Sequence, residues 1–539
     1  MKVLLLYPIT PLSFFSSLKL FPQMGCRALI PPLSLITVAA LLPREWQLRL
    51  VDLNVEAVTD QEWDWADLVM ISGMLVQRQN LLALIREAKA RGKTVVVGGP
   101  YATSLPEEVL KAGADFVVRG EGENAVPLFL EALAQGRRGG IIACDARPDL
   151  AASPIPRFDL VNLKHYIAVA IQTSRGCPHD CEFCDVVQLF GRRPRYKGAG
   201  QVINELEAIY RLGFRGPIFV SDDNFIGSKT HVRAILKELT PWGKSRGEPF
   251  VFITQATVDL GQDVPLINLM TEANFVEVFL GLESPDEEAL IRSAKHHNRR
   301  SPMLEDVKTI QANGLSVMGS FILGMDGERP GAGDRIISFI EAANIPMVMI
   351  NLLQPPPHTR LWRRLQQEGR LLDEEIRNSA EFDSIGGRPL FIPSRPQEKI
   401  MAEYQKVWET IYEPSRYLAR CYRFFLGMRP TRAEIARCQG KILPPPLVPP
   451  AKKPQRRKLL ELYVLLRFSW QLGIVSSTRW QYWRQLLGMI RKNPSRLQGY
   501  LANCAKTEDL CCLRDLVRHR LFLASSSRRH LTSSSPQGL

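Results

Sequence analysis

The chain has 539 residues, 45% of them hydrophobic and 23% charged, enough for two to four domains with large buried cores. Its formal charge of +14 is confined to one end: residues 441–539 hold 18 Lys plus Arg against 4 Asp plus Glu, leaving 51 of each sign in the rest. A neutral body argues against nucleic acid as a partner, and with no uncharged apolar window of about 18 residues a membrane-spanning helix is not expected.

The opening MKVLLLYPIT reads as a first β-strand rather than a leader, because its apolar run is short and stops at Pro8. KVLLLYP, LRLVDLN, DLVMISG, TVVVGGP and DFVVRGE alternate with helical stretches such as QRQNLLALIREAKARG. This α/β alternation predicts a doubly wound, Rossmann-like parallel sheet over residues 1–140, with ligands beyond the carboxyl ends of its strands. Those ends carry Asp52, Ser72, Gly98, Gly99, Gly120 and Glu121. Gly98 and Gly99 allow close backbone approach to a bulky group, or are simple turns.

After a Pro-containing connector (141–165), a second series over 166–370 has strand-like runs ending at AIQTSRG, PIFVSDD, FVFITQA, VEVFLGLE, SVMGSFILG and MVMINLLQ. Six β-α units predict a (β/α)6 partial barrel with its site at the strands' carboxyl ends. Cys177, Cys181 and Cys184 follow the first strand, and Asp222, Asp223 and Asn224 the second. Thr254 and Gln255 end the third, and Glu283, Gly324 and Gln354 stand at the ends of the remaining three.

The cysteines are spaced C-x3-C-x2-C. Three thiols are an awkward number for disulfides, and a reducing, cytoplasmic setting is expected. Zinc with His179 as fourth ligand fits this spacing, and so does a cubane iron–sulfur cluster with one iron left open. The other residues also have plain readings: Asp222 and Asp223 as a turn or helix cap, Glu283 as the partner of a nearby cation, Gly324 as a strand-end glycine. His296 and His297 are adjacent, do not share a helix face, and are expected in a solvated loop. His358 reads as a turn residue.

CPHDCEFC, with the aromatic Phe183 before its last cysteine, resembles the cluster motif of the radical S-adenosylmethionine (SAM) superfamily. SFILGMDGE resembles that superfamily's adenine-pocket strand, GLES its fourth strand and VSDDNF its second, and PPLSLITVAALLP resembles the first helix of a cobalamin domain. The likeness to cobalamin-binding radical SAM enzymes covers roughly residues 1–435, and the nearest branch includes hopanoid 2-methyltransferase. It implies a [4Fe–4S] cluster on Cys177, Cys181 and Cys184, with SAM chelated by the fourth iron. SAM contacts are then implied for Phe183, Asp222, Asp223, Thr254, Glu283, Gly324 and Gln354, and cobalamin contacts for Asp52, Ser72, Gly98, Gly99, Gly120 and Glu121. The implied chemistry is SAM cleavage to a 5′-deoxyadenosyl radical, with methylation of an unactivated carbon in a hydrophobic substrate such as a lipid. A low-potential electron donor is implied as partner. The alternatives are a radical cyclase or rearrangement enzyme, and a non-catalytic cobalamin and Fe–S binding protein.

One departure concerns cobalt. Many cobalamin domains carry D-x-H-x-x-G, whose histidine ligates the lower face; here the stretch is DLNVEAV, with Asn54, and the first histidine of the chain is His165. His-off cobalamin is therefore expected.

Residues 371–438 read as a helical extension of the core, 439–458 as a proline-rich and then basic linker, and 459–539 as a basic helical tail. In RWQYWRQLLGMIRK, Trp480, Trp483, Leu486, Leu487 and Ile490 recur at helical spacing among basic residues. That pattern suits peripheral contact with an anionic membrane, packing on the body, or a partner protein. The last dozen residues are expected to be disordered.

Overall fold

The computed structural model describes residues 1–17, 19–373, 385, 387–440, 463 and 466–532. Its first sheet contains β1 (Lys2–Tyr7), β2 (Gln47–Asp52), β3 (Leu68–Ser72), β4 (Thr94–Gly98), β5 (Phe116–Arg119) and β6 (Gly140–Ala143), all parallel, in the order β2-β1-β3-β4-β5-β6. The central strands β1, β3 and β4 are mostly apolar because both faces are covered, whereas the edge strand β2 exposes Gln47 and Arg49. Leu4, Leu6, Val69, Ile71 and Val97 pack on one side, and Val3, Leu5, Met70 and Val96 on the other. The strand order reverses beside β1, the place where sheets of this kind open a crevice for a ligand. The sixth strand starts one residue before the expected connector and reaches into it; at four residues, GIIA is too short to signal itself.

The remaining strands are β7 (Val169–Ile171), β8 (Ser174–Arg175), β9 (Arg195–Tyr196), β10 (Gly216–Val220), β11 (Phe250–Ala256), β12 (Phe275–Glu283), β13 (Ser316–Leu323) and β14 (Met347–Leu352). Six of them form a parallel sheet in the order β14-β13-β12-β11-β10-β7, which is the expected six-unit open barrel. β8 and β9 form a separate antiparallel pair. Helices between the strands bury one stripe each; Ala199–Arg211, for example, buries Val202, Leu206 and Ile209. The face turned toward them carries Ile218, Val220, Phe252, Val278 and Leu280, all buried.

Helices Gln397–Ile411, Pro414–Gly427, Arg432–Cys438, Arg479–Lys492, Leu497–Ala505 and Thr507–Thr532 form the C-terminal part. Gln397–Ile411 packs on the barrel helix Ala332–Ala343. Nearly all of the expected linker, residues 441–458, lies outside the described residues, as do residues 533–539 of the expected disordered end; the helix Thr507–Thr532 covers the residues just before these. No described helix is long and apolar enough to cross a membrane.

Arg420, fully buried, ties the helical part to the barrel. It donates to the Ile345 and Ile411 carbonyls, both at 2.7 Å, and meets Glu341 at 3.0 Å. Arg420→Met should take the guanidinium from the Ile345 and Ile411 carbonyls, while Glu341 keeps Arg423, and lower stability by about 3 kcal/mol, measured as a fall in the thermal or denaturant midpoint.

Candidate active site

Antiparallel pairing of β8 with β9 closes the base of the loop that carries the three cysteines. Gly176 takes φ +95°, and a Cβ there would stand 3.0 Å from the Gly191 carbonyl oxygen, so the turn into Cys177 requires glycine. Asp222 holds the approach to the loop. Its fully buried carboxylate accepts from the Thr173 amide and hydroxyl at 2.6 and 2.5 Å, and from the Ser174 amide and hydroxyl at 3.0 and 2.8 Å. Asp223 accepts the Gly176 amide at 2.7 Å, and burial pushes its carboxyl up to about 6. The two aspartates are thus clamps on the cysteine loop. All four hydrogen bonds of Asp222, expected as a SAM contact, go to the approach of the loop.

The three thiols are free, Cys181 buried and the other two half-buried. Burial raises the pKa of each, to about 11 for Cys177, while Lys295 opposes the rise at all three. The Lys295 ammonium pairs with Glu283 at 2.6 Å and lies 5.8 Å from the Phe183 ring centroid. Burial alone would pull Lys295 down, but Glu283 and Cys181 outweigh it and hold the ammonium above its usual range. Glu283 has a left-handed φ of +62° at a β-bulge where β12 skips one residue against β13. Gly281 leaves room for the pair, since a Cβ there would collide with the Glu283 carboxylate and come within 3.0 Å of Lys295 Nζ.

Lys295 is the functional residue that sequence reasoning missed. It sits in a basic run, SAKHHNRR, that reads as surface. That run is also where the expected solvated loop is corrected: His296 is exposed, but His297 is buried, with its ring stacked on His179 at 3.8 Å. Burial there drives the His297 pKa down to about 2. Among the described residues no three His, Cys, Asp or Glu side chains converge on one metal-ion position. Soft thiols held separately on one loop beside a buried cation fit a cluster that takes one thiolate per iron.

The other expected SAM contacts divide. Gly324 takes φ +89° and donates its amide to Glu328 at 3.0 Å. Glu328 in turn pairs with Arg395 at 2.6 Å, and burial pushes it up to about 7. Thr254 is fully buried, its hydroxyl donates to the Val220 carbonyl at 3.1 Å, and alternation turns Gln255 to the other face of the sheet. The Gln354 amide donates to the Arg388 carbonyl at 2.8 Å and accepts the Leu390 amide at 3.1 Å, tethering the segment after the barrel.

On the first sheet, β3, β4 and β5 end in Gly73, Gly98–Gly99 and Gly120, a rim without side chains that suits a broad flat ligand. Gly99 has φ +88°, and a Cβ there would stand 2.5 Å from Ser72 Oγ. The carboxylates of Asp52 and Glu121, expected as cobalamin contacts, join the two domains. Asp52 accepts from the Tyr166 hydroxyl at 3.0 Å and from Asn54 at 2.7 and 2.9 Å. Asn54 also accepts the Thr10 amide at 2.8 Å, so its amide is committed to the fold. Glu121, its side chain 2% exposed, meets Arg175 at 2.6 Å, Arg195 at 2.8 Å and Arg147 at 3.4 Å. Helix Gly99–Ser104 lies against Val186–Phe190, just past Cys184, and His358, in its expected turn, has Nε2 3.1 Å from the Ser104 carbonyl. The rims of the two sheets therefore face each other.

Known families match in three places: a B12 binding domain over residues 27–130, the radical SAM superfamily over 171–340, and a domain of unknown function, DUF4070, over 359–521. Over 521 residues the chain is 44% identical to the uncharacterized methyltransferase sll1242 of Synechocystis sp., with 97% of this chain and 93% of that protein covered. Over 540 residues it is 33% identical to the hopanoid C-2 methylase of Rhodopseudomonas palustris, with 99% and 96% covered. The solved structure of the cobalamin-dependent S-adenosylmethionine radical enzyme OxsB matches with a TM-score of 0.57 and 14% identity, covering 97% of this chain and 82% of that one, a likeness of fold. A B12-type sheet facing an open barrel with a three-cysteine loop defines the class as a cobalamin-binding radical SAM enzyme. With these relatives, the chain belongs to the cobalamin-dependent radical SAM methyltransferases. Its cofactors are a [4Fe–4S] cluster, SAM and cobalamin.

Two substitutions separate clamp from contact. Asp222→Ala should lower the iron content after anaerobic reconstitution several-fold, because the loop loses its anchor. Thr254→Val should leave both iron content and SAM affinity unchanged, measured by iron analysis and equilibrium binding.

Proposed function

We propose that this protein methylates an unactivated carbon of a hydrophobic, lipid-like substrate met at a membrane surface, with electrons from a low-potential donor. The observation that carries the substrate class is the inner face of the barrel sheet. Alternation places Phe219, Ile253, Phe279, Met318 and Met349 opposite the helix-covered face, and all are only half-buried. Phe15 from the N-terminal segment extends this lining, its ring centroid 6.3 Å from that of Phe279. A relative named for methylation of a hopanoid supports the same reading.

In this reading residues 1–140 form the cobalamin domain, 166–370 the radical SAM core and 371–438 its helical extension. Cys177, Cys181 and Cys184 hold the cluster, and Phe183 packs behind it. Lys295, oriented by Glu283, is placed for the SAM carboxylate, while Asp223 and Gly324 shape the pocket through the backbone. Ser72, Gly98, Gly99 and Gly120 form the corrin rim, and with no histidine before His165 that domain has no imidazole to offer cobalt. When bound, the cluster and SAM supply a radical able to take hydrogen from an unactivated carbon, and the corrin supplies the methyl group. The chain's own part is to align the two rims and to line the space between them with apolar side chains that exclude water.

Anaerobically reconstituted protein with dithionite and SAM should form 5′-deoxyadenosine, and a lipid extract should yield a product heavier by one methyl group carrying the label of methyl-labelled SAM. Deoxyadenosine with a product of unchanged carbon count would instead identify a cyclase or rearrangement enzyme, and no deoxyadenosine a binding protein. Cys177→Ala should abolish turnover. Lys295→Met should weaken SAM binding about tenfold or more with iron content retained, measured by isothermal titration.

A further inference from the structure

Nine of the twenty large apolar side chains exposed among the described residues lie between residues 463 and 490. On the helix Arg479–Lys492, Tyr482, Gln485 and Met489 are buried against the body, and Trp480, Trp483, Leu487 and Ile490 form the opposite stripe. The preceding segment repeats the pattern: Leu466, Trp470 and Ile474 project outward while Phe468 and Leu472 are buried. The two stripes are locked side by side. The Trp483 indole donates to the Gly473 carbonyl at 2.8 Å, and a Cβ at Gly473 would stand 2.8 Å from that ring. Trp480 is 76% exposed and Trp470 61%. Scattered apolar residues on a surface need no explanation, but a contiguous aromatic face marks a docking site.

Charge selects the occupant. From residue 462 to residue 507 the sequence has no Asp or Glu and seven Lys or Arg, so nothing on the segment neutralises its cations. At 3.6 residues per turn, Arg484 and Arg491 border one side of the outer stripe and Arg479 the other, all exposed. The core of a protein–protein interface is depleted of charge, whereas cations flanking indoles and aliphatic side chains are the make-up of a helix lying in a lipid interface.

We propose that this two-helix face seats the protein on an anionic lipid bilayer, with Trp470, Trp480, Leu487 and Ile490 in the interfacial layer and Arg479, Arg484 and Arg491 on the phosphates. The inference rests on the membrane reading above and names its surface. The face also has a route to the barrel. Asp509, on the tail helix Thr507–Thr532, accepts from the Ser17 hydroxyl and from the Lys19 amide at 2.9 Å, holding the N-terminal segment whose Phe15 reaches Phe279.

The test is sedimentation of the full chain, without added cofactors, with vesicles of phosphatidylcholine alone or with about one-third phosphatidylglycerol. The expected result is binding to the anionic vesicles that falls with salt, weak binding to the neutral ones, and a blue shift of tryptophan emission on binding. Trp470→Ser/Trp480→Ser and Arg484→Glu/Arg491→Glu should each cut partitioning about tenfold or more. Both pairs are surface changes, so melting temperature and 5′-deoxyadenosine formation should stay at wild-type values. No sedimentation with anionic vesicles, or binding that neither pair weakens, overturns the proposal. A dimer by light scattering that the tryptophan pair dissociates assigns the face to a second copy and overturns it as well. Because the assay needs no turnover, failure to dock and failure to methylate are read separately.

Discussion

Asp222 is the point on which the site turns. Its carboxylate has no solvent exposure and all its hydrogen bonds go to Thr173 and Ser174, on the stretch that leads from β7 to the cysteine loop. Burying a carboxyl group in this way is tolerable only because two amides and two hydroxyls replace its water. The adjacent Asp223 extends the hold to Gly176, so a loop that must present three thiols at set positions is fastened at its base by one Asp-Asp pair. Loops are mobile unless something fixes them, and here the fixing group comes from the neighbouring strand's end, β10, where the barrel's register already positions it.

Much of this was legible in the sequence, for physical reasons that differ by element. The two parallel sheets announce themselves because their strands are largely apolar runs alternating with helices, and the cysteine loop stands out because it follows the first barrel strand. Side-chain direction at the strand ends was not legible. Thr254 and Gln255 are neighbours of similar polarity, and only the register with Val220 decides which points to the helices. Asp52 and Glu121 stand where a ligand contact is expected, yet partners distant in sequence, Tyr166, Arg175 and Arg195, claim their carboxylates. Lys295 was hidden for the opposite reason: a lysine among five basic residues reads as surface, and only the fold buries it beside Glu283.

The first domain is likewise held by hydrogen bonds between its own loops. Residue 54 occupies the place of a cobalt-ligating histidine, and the Asn54 amide instead joins Asp52, Pro8 and Thr10, so the loop is closed by hydrogen bonds within the domain. The crevice that results is defined by glycines and one serine, a surface that recognises shape more than charge. In the proposed function, specificity for a hydrophobic substrate would then come from the barrel's apolar inner face.

The Glu121 cluster also separates two responses to the cell's ionic milieu. Counter-ions reach exposed charges readily and buried ones poorly. Three guanidiniums gathered on a carboxylate that is 2% exposed keep the spacing of the two rims indifferent to potassium or magnesium, while the open arginines of the tail feel every change. In the docking proposed above, a rise in electrolyte would thus lift the molecule from a charged surface with its internal alignment intact, leaving attachment adjustable and the spacing of the rims fixed.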